Sequence, residues 1–254
     1  MSIFDSHAHY LDSRFDEDRD ELLTSLFANG VCGIIEGGTT AAASAEAVAL
    51  AQRYPHFWAT VGIHPQEAGE ATPEDLVTLE NLAANPKTVG IGEIGLDYHY
   101  EDCCPRDVQQ HYFRKQLELA NRLQLPVVIH DREAHEDTVR LLQEYRPLGV
   151  LHCFSGSVEM AREILDIGMY ISLGGVVTFK NARKTVEVAA AVPLDKLLLE
   201  TDAPYLAPEP HRGKRCDSSL ILHTAEKIAA IRGITAEEVL NATTENARRL
   251  YRLS

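Results

Sequence analysis

Four histidines and two carboxylates stand at the C-terminal ends of apolar runs. IFDSHAH carries His7 and His9, VGIGE ends on Glu93, PVVIH on His130, GVLH on His152, and LLLETD on Asp202. Imidazole nitrogens and carboxylate oxygens without thiolate form a donor set suited to divalent cations. Singly, each has a plainer reading. An HxH pair can be two polar residues at a strand terminus, Glu93 a solvated cap, His130 and His152 core or loop residues, and Asp202 the cap of the next segment. Five strand ends bearing such groups together favour a joint metal site. Alternate strand residues share a face, so His7 and His9 can grip one cation. Glu93 follows Gly90 and Gly92, whose small size lets other groups approach, and a carboxylate there can bridge two cations.

The elements that must position these groups alternate along the chain. Strands are predicted at Ile3–His7, Val31–Glu36, Phe57–Gly62, Val89–Glu93, Val127–His130, Val150–His152, Tyr170–Leu173 and Leu197–Thr201. Helical stretches fill the gaps at Glu17–Asn29, Ala42–Gln52, Pro73–Ala84, Arg106–Leu123, His135–Tyr145, Val158–Asp166 and Ala182–Ala191, with Ser219–Arg232, Ala236–Leu240 and Thr244–Tyr251 after the last strand. Gly30 is the expected stop of the first. Apolar runs buried on both faces and joined through helices make a parallel sheet. Eight repeats favour a closed α/β barrel, the TIM (β/α)8 fold, which takes about 250 residues as one unit. Such barrels carry their chemistry at the C-terminal ends of the strands, where these six residues lie. The 254 residues contain no linker, repeat or low-complexity tract, so one domain spanning 1–254 is expected.

Composition narrows the function classes. A net charge of −14 with no basic run repels long polyanions and disfavours tight, nonspecific nucleic-acid binding. A nucleic acid entering by an end or a short single strand remains compatible, with cations neutralising phosphate locally. Met1-Ser2 leads straight into the first strand and no apolar run approaches spanning length, so neither a secretory leader nor a membrane span is expected. Five cysteines (Cys32, Cys103, Cys104, Cys153, Cys216) form no CxxC pair. That argues against a disulfide framework or thiolate zinc site and points to a reducing cytoplasm. The vicinal Cys103-Cys104 reads as two ordinary loop thiols.

The motifs DSHAHY (5–10), VGIHP (61–65), GEIGLDYH (92–99), IHDREA (129–134), LHCFSG (151–156) and ETDAPYLAP (200–208), in this order along nearly the whole chain, resemble the TatD family of metal-dependent hydrolases, within the amidohydrolase superfamily. The resemblance implies a TIM barrel with a binuclear site, and many members are deoxyribonucleases. Carried over residue by residue, His7, His9 and Asp202 would bind one metal, His130 and His152 the other, and Glu93 would bridge them. One departure stands in the loop after the eighth strand. Where the family usually follows HRGK with Asn-Glu-Pro or a similar triplet, this chain has Cys216-Asp217-Ser218. As the loop follows a strand end, it is expected to border the substrate cleft, with Asp217 or Ser218 alternatively capping a helix.

Two cations about 3.5–4 Å apart lower the pKa of a water and stabilise charge on the attacking and leaving oxygens of a phosphodiester. Asp202 would take the water's proton beside its ligand role. His64, in VGIHP, is a candidate to contact a phosphate oxygen or protonate the leaving group, or else a structural residue. Asp97 could orient a liganding histidine or be a turn residue. Arg132 is a candidate phosphate clamp, or a surface partner of Glu133 or Glu136. Arg212, Lys214 and Arg215 form the one local basic cluster, either greeting an acidic substrate or simply solvated. The donor set admits zinc, manganese, iron, cobalt or nickel, with zinc or manganese expected; magnesium prefers oxygen ligands. Three readings follow. The first is a deoxyribonuclease working from a 3′ end. The second is a carboxylic ester or amide hydrolase such as an aminoacyl-tRNA deacylase, since the same activated water attacks a carbonyl. The third, a noncatalytic metal-bound interaction protein, has no need of the full ligand set with its base. DNA is the expected transient partner, with no membrane and no obligate protein partner.

Overall fold

A computed structural model describes residues 2–100 and 104–253; Cys103, and with it the vicinal pair, lies outside the described residues. Eight strands run parallel in the order β1 to β8, and a helix follows each. The strands are β1 (Ile3–Ala8), β2 (Val31–Gly37), β3 (Phe57–Val61), β4 (Thr88–Asp97), β5 (Val127–Arg132), β6 (Gly149–Leu151), β7 (Tyr170–Leu173) and β8 (Leu197–Leu199). The helices are α1 (Arg19–Ala28), α2 (Ala41–Ala51), α3 (Pro73–Ala83), α4 (Arg106–Leu123), α5 (His135–Tyr145), α6 (Val158–Asp166), α7 (Arg183–Ala191), α8 (Ile221–Arg232) and α9 (Ala236–Tyr251). This is a TIM barrel. Among the described residues no helix is long and apolar enough to cross a membrane.

Local chemistry fixes the helix starts. Thr72 and Asp75 form a capping box around Pro73 at the head of α3, and Thr235 with Glu238 does the same for α9; each satisfies amide groups that the first turn leaves open. Gly30, with φ +101°, takes the left-handed turn after α1 that a residue with a Cβ resists.

Two sequence expectations need correction. Strand β4 does not stop at Glu93. Ile94, Gly95, Leu96 and Asp97 continue it, paired with Ile129, His130, Asp131 and Arg132 of β5, so ladder bonds carry the strand past its functional residue. The last helix is one element rather than two. Thr243, the β-branched residue at the predicted break, is buried and its hydroxyl donates back to the Val239 and Leu240 carbonyls; packing outweighs its weak helix propensity.

The two ends of the barrel differ in chemistry. Phe4, Val89, Val128, Val150, Tyr170 and Leu198, near the starts of their strands, pack with Ala247, Leu250 and Tyr251 of α9, an apolar floor that the last helix closes. The polar residues gather at the opposite, C-terminal end. No ladder joins β8 to β1 among the described residues, and this seam is closed by individual bonds. The buried Asp5 carboxylate accepts from Thr201 N–H (3.0 Å), Thr201 Oγ1 (2.6 Å) and Ser218 Oγ (2.7 Å). The Asp202 N–H donates to the His7 carbonyl and the His9 N–H to the Ala203 carbonyl, at 3.0 and 2.7 Å.

Candidate metal centre

His7 and His9 end β1 with their Nε2 atoms 3.1 Å apart. Two nitrogens each about 2.0–2.1 Å from a shared zinc stand roughly 3–3.4 Å from one another, so this spacing fits two ligands of one cation. Asp202 joins them from beyond β8, its Oδ1 3.4 Å from His9 Nε2 and 3.9 Å from His7 Nε2. Its backbone is left-handed, with φ +58°, a conformation that aspartate tolerates better than most residues.

Glu93 divides the centre between its two oxygens. Oε2 lies 3.3 Å from His7 Nε2 and 3.4 Å from His9 Nε2. Oε1 lies 2.8 Å from His130 Nδ1, 2.9 Å from His152 Nε2 and 3.5 Å from His64 Nε2. Burial would raise the Glu93 carboxyl, but the histidines around it, His152 foremost, outweigh it and hold the group well below the usual carboxylate range. Burial opposes charge on His9 and His152 too. Asp202 and Glu93 raise the first all the same, and Glu93 and Glu200 the second, both well above the ordinary histidine value. Carboxylates that pull imidazoles toward the charged form in a buried place supply the field that a cation would meet. Donor atoms of His7, His9 and Asp202, of His7, Glu93 and His152, and of His64, Glu93 and His130 each lie within 4.8 Å of one another. The residues fit a pair of divalent cations.

His64 stands apart by its tautomer. Its Nδ1 accepts the Gln66 N–H at 3.2 Å, which puts the ring hydrogen on Nε2, and burial lowers its pKa. A nitrogen that donates cannot ligate. Proximity alone counts His64 among the donors; its hydrogen bond makes it a donor to oxygen.

A second ring of carboxylates backs the histidines. Asp97 Oδ2 is 3.3 Å from His130 Nε2 and accepts from Gln66 Nε2 at 2.7 Å, the orienting position proposed for it from sequence. Glu200 was missed. It is fully buried, accepts the Cys153 N–H, and sets Oε1 3.6 Å from His152 Nδ1. Its Oε2 and that Nδ1 have no hydrogen-bond partner, so a small closing movement would pair carboxylate with imidazole. The signal was available: in an extended chain Glu200 shares a face with Asp202. Glu36 also ends an apolar run, as Glu93 does. It faces elsewhere, accepting the Tyr10 and Leu11 N–H groups at 2.8 and 2.9 Å, and burial raises its carboxyl to about 7.

The sequence model for TatD-related DNases matches residues 4–252. The chain belongs to the TatD-related DNase family. It is 43% identical over 255 residues to the uncharacterized metal-dependent hydrolase YabD of Bacillus subtilis, covering 99% of this chain and 100% of that protein. It is 36% identical over 257 residues to the 3′-5′ ssDNA/RNA exonuclease TatD of Salmonella typhimurium, with 98% of each covered. The solved structure of YjjV, a TatD homologue from Escherichia coli, superposes with a TM-score of 0.93 at 32% identity, over 99% of this chain and 98% of that one.

Within this TatD-family chain the rim residues fall differently from the sequence reading. Arg132 ends β5 exposed, its guanidinium 5.0 Å over the Tyr100 ring; of its suggested carboxylate partners, Glu133 pairs with His99 at 2.7 Å. The basic loop is largely committed. Arg215 grips Asp18 with two bonds of 2.8 and 2.6 Å and is not free to greet a substrate, while Arg212 covers the Phe179 ring at 4.4 Å. The departing triplet does not line a cleft. Cys216 and Ser218 are buried against the β1–β8 seam, where Ser218 bonds Asp5 and Tyr10, and Asp217 caps the turn by accepting the Ser219 N–H at 2.9 Å.

Proposed function

We propose that this chain is a divalent-metal-dependent deoxyribonuclease that removes nucleotides from the 3′ end of single-stranded DNA. The observation that carries the proposal is the division of Glu93, one oxygen toward His7 and His9 and the other toward His130 and His152. That is the arrangement a bridging carboxylate requires. His7, His9 and Asp202 would hold one cation, and His130 and His152 the other. Zinc or manganese suits these donors, with magnesium, cobalt, nickel or iron as substitutes. Bound there, the pair would supply Lewis acidity and a water of lowered pKa.

The protein's own groups do the rest. Hydrogen bonding and charge from His9 outweigh the effect of burial and hold Asp202 below the usual carboxylate range, so it is ionised and able to accept a proton from the attacking water. His64 presents Nε2–H to a phosphate oxygen or to the departing oxygen. Arg132, on the rim, reaches phosphate from the β5 side. The 3′-5′ ssDNA/RNA exonuclease at 36% identity favours this reading over the carboxylic ester or amide hydrolase, for which no observation speaks. A single catalytic domain over 1–254, a cytoplasmic setting and action without an obligate protein partner belong to the proposal.

The test is a time course of manganese-loaded protein on end-labelled single-stranded DNA beside Asp202→Asn. A ladder shortening from the 3′ end, lost in the variant while its metal content stays near that of the parent, is the expected result. Intact DNA with both cations bound would move the assignment to carboxylic esters.

A further inference from the structure

Two exposed tyrosines follow opposite strands of the barrel, at the end that carries the candidate metal centre. Tyr205 is 46% exposed and Tyr100 is 49% exposed. Tyr205 follows β8 in the turn that begins with Asp202, and Tyr100 follows β4. In the strand order β1 to β8, the β8–β1 and β4–β5 edges lie across a closed barrel from one another. Both tyrosines come after strand ends, so both stand on the rim that holds Glu93 and the histidines.

A scattered exposed aromatic needs no explanation. These two are built. Tyr205 donates its hydroxyl to Asp12 at 3.1 Å and its N–H to the Asp202 carbonyl at 2.8 Å, while the Arg14 guanidinium lies 4.1 Å over its ring. Tyr100 carries Arg132 at 5.0 Å in the same manner. The two arginines differ in what remains of them. Arg14 spends its fork on Asp12 through bonds of 2.9 and 2.8 Å and acts as a flat backing for the ring. Arg132 has no carboxylate partner among the described residues, and its N–H groups remain for an anion.

We infer that Tyr205 and Tyr100 are stacking platforms for unpaired nucleobases at the end of a nucleic-acid strand, with Arg132, beside Tyr100, meeting a phosphate of that strand. The inference rests on the nuclease reading above and names the form of substrate that the site selects. A chain of net charge −14 cannot gather a polyanion by its overall field. Aromatic faces attract bases without that field and tolerate any sequence. A duplex keeps its base faces in its own stack, so only an unpaired end can use these platforms.

The experiment compares two substrates of the manganese-loaded protein: a short oligothymidylate, and the same oligomer with base-free sugars at its terminal positions. The parent should cleave the base-free end slower by about tenfold or more. Tyr205→Leu should lose a similar factor on the oligothymidylate and far less on the base-free oligomer, and Tyr205→Phe, which keeps the ring, should keep the parent's preference for the base-bearing oligomer. Tyr100→Leu should repeat the pattern. Equal losses by Tyr205→Leu on both oligomers would mean that the ring only supports the Asp202 turn, and would overturn the inference. So would a parent indifferent to the missing bases. A parent that cleaves neither oligomer fails earlier, at the nuclease reading, and takes this inference with it.

Discussion

The candidate metal centre is assembled from two halves that are held in different ways. His7, His9 and Asp202 meet across the β1–β8 seam, where main-chain bonds between Asp202 and His7 and between His9 and Ala203 do the positioning. His130 projects from β5 and His152 stands just past β6, strands joined by an ordinary ladder, and carboxylates face their rings, Asp97 3.3 Å from His130 and Glu200 3.6 Å from His152. In the first half the backbone places the ligands. In the second a main-chain bond also reaches a candidate ligand, His152 N–H donating to the Ile129 carbonyl at 3.1 Å, but buried carboxylates stand behind the imidazoles as well. The halves should therefore fail differently when altered.

The largest effect comes from removing ligands from one half at a time. His130→Ala with His152→Ala should drop bound metal from two equivalents to one and abolish turnover, with the fold retained, because neither ring supports a strand. His7→Ala with His9→Ala should also remove one equivalent. Elemental analysis after dialysis checks both. Two equivalents retained by either double variant would sink the division of ligands.

A smaller effect separates the halves more sharply. Glu200→Gln keeps an acceptor for the Cys153 N–H but removes the charge behind His152. Changes of this kind cost roughly 10–100-fold in metal affinity. Chelator competition should show that loss for one of two cations, with stoichiometry restored at excess metal. An unchanged affinity would make Glu200 a clamp on Cys153 and nothing more.

The same contrast decides what could be read from sequence. The barrel was legible because buried parallel strands leave apolar runs, and the six ligand candidates because each ends such a run. The rule overreaches at Glu36, which satisfies it yet serves the Tyr10 and Leu11 amides; an apolar run does not reveal which way its last side chain turns. It falls short at Glu200, hidden two residues before the more conspicuous Asp202. The role of Ser218 was out of reach, since its partners Asp5 and Tyr10 are 213 and 208 residues away. Of the two readings of the loop that departs from the family pattern, cleft border or helix cap, the cap is what Asp217 provides, and its neighbours lie under the seam.

The seam gives the gentlest test. Ser218→Ala removes one donor from Asp5 and a partner from the Tyr10 hydroxyl, both buried. Asp5 keeps two bonds from Thr201, so the cost should stay near that of one buried hydrogen bond, about 1–2 kcal/mol. For a chain of this size that lowers Tm by roughly 2–6 °C. Because main-chain bonds hold His7, His9 and Asp202, metal stoichiometry and turnover well below the melting range should hardly move. Calorimetry and metal analysis on the same sample read both. Loss of one cation at an unchanged Tm would reverse the contrast: side chains, not backbone, would then be aiming the ligands on the β1–β8 side as well.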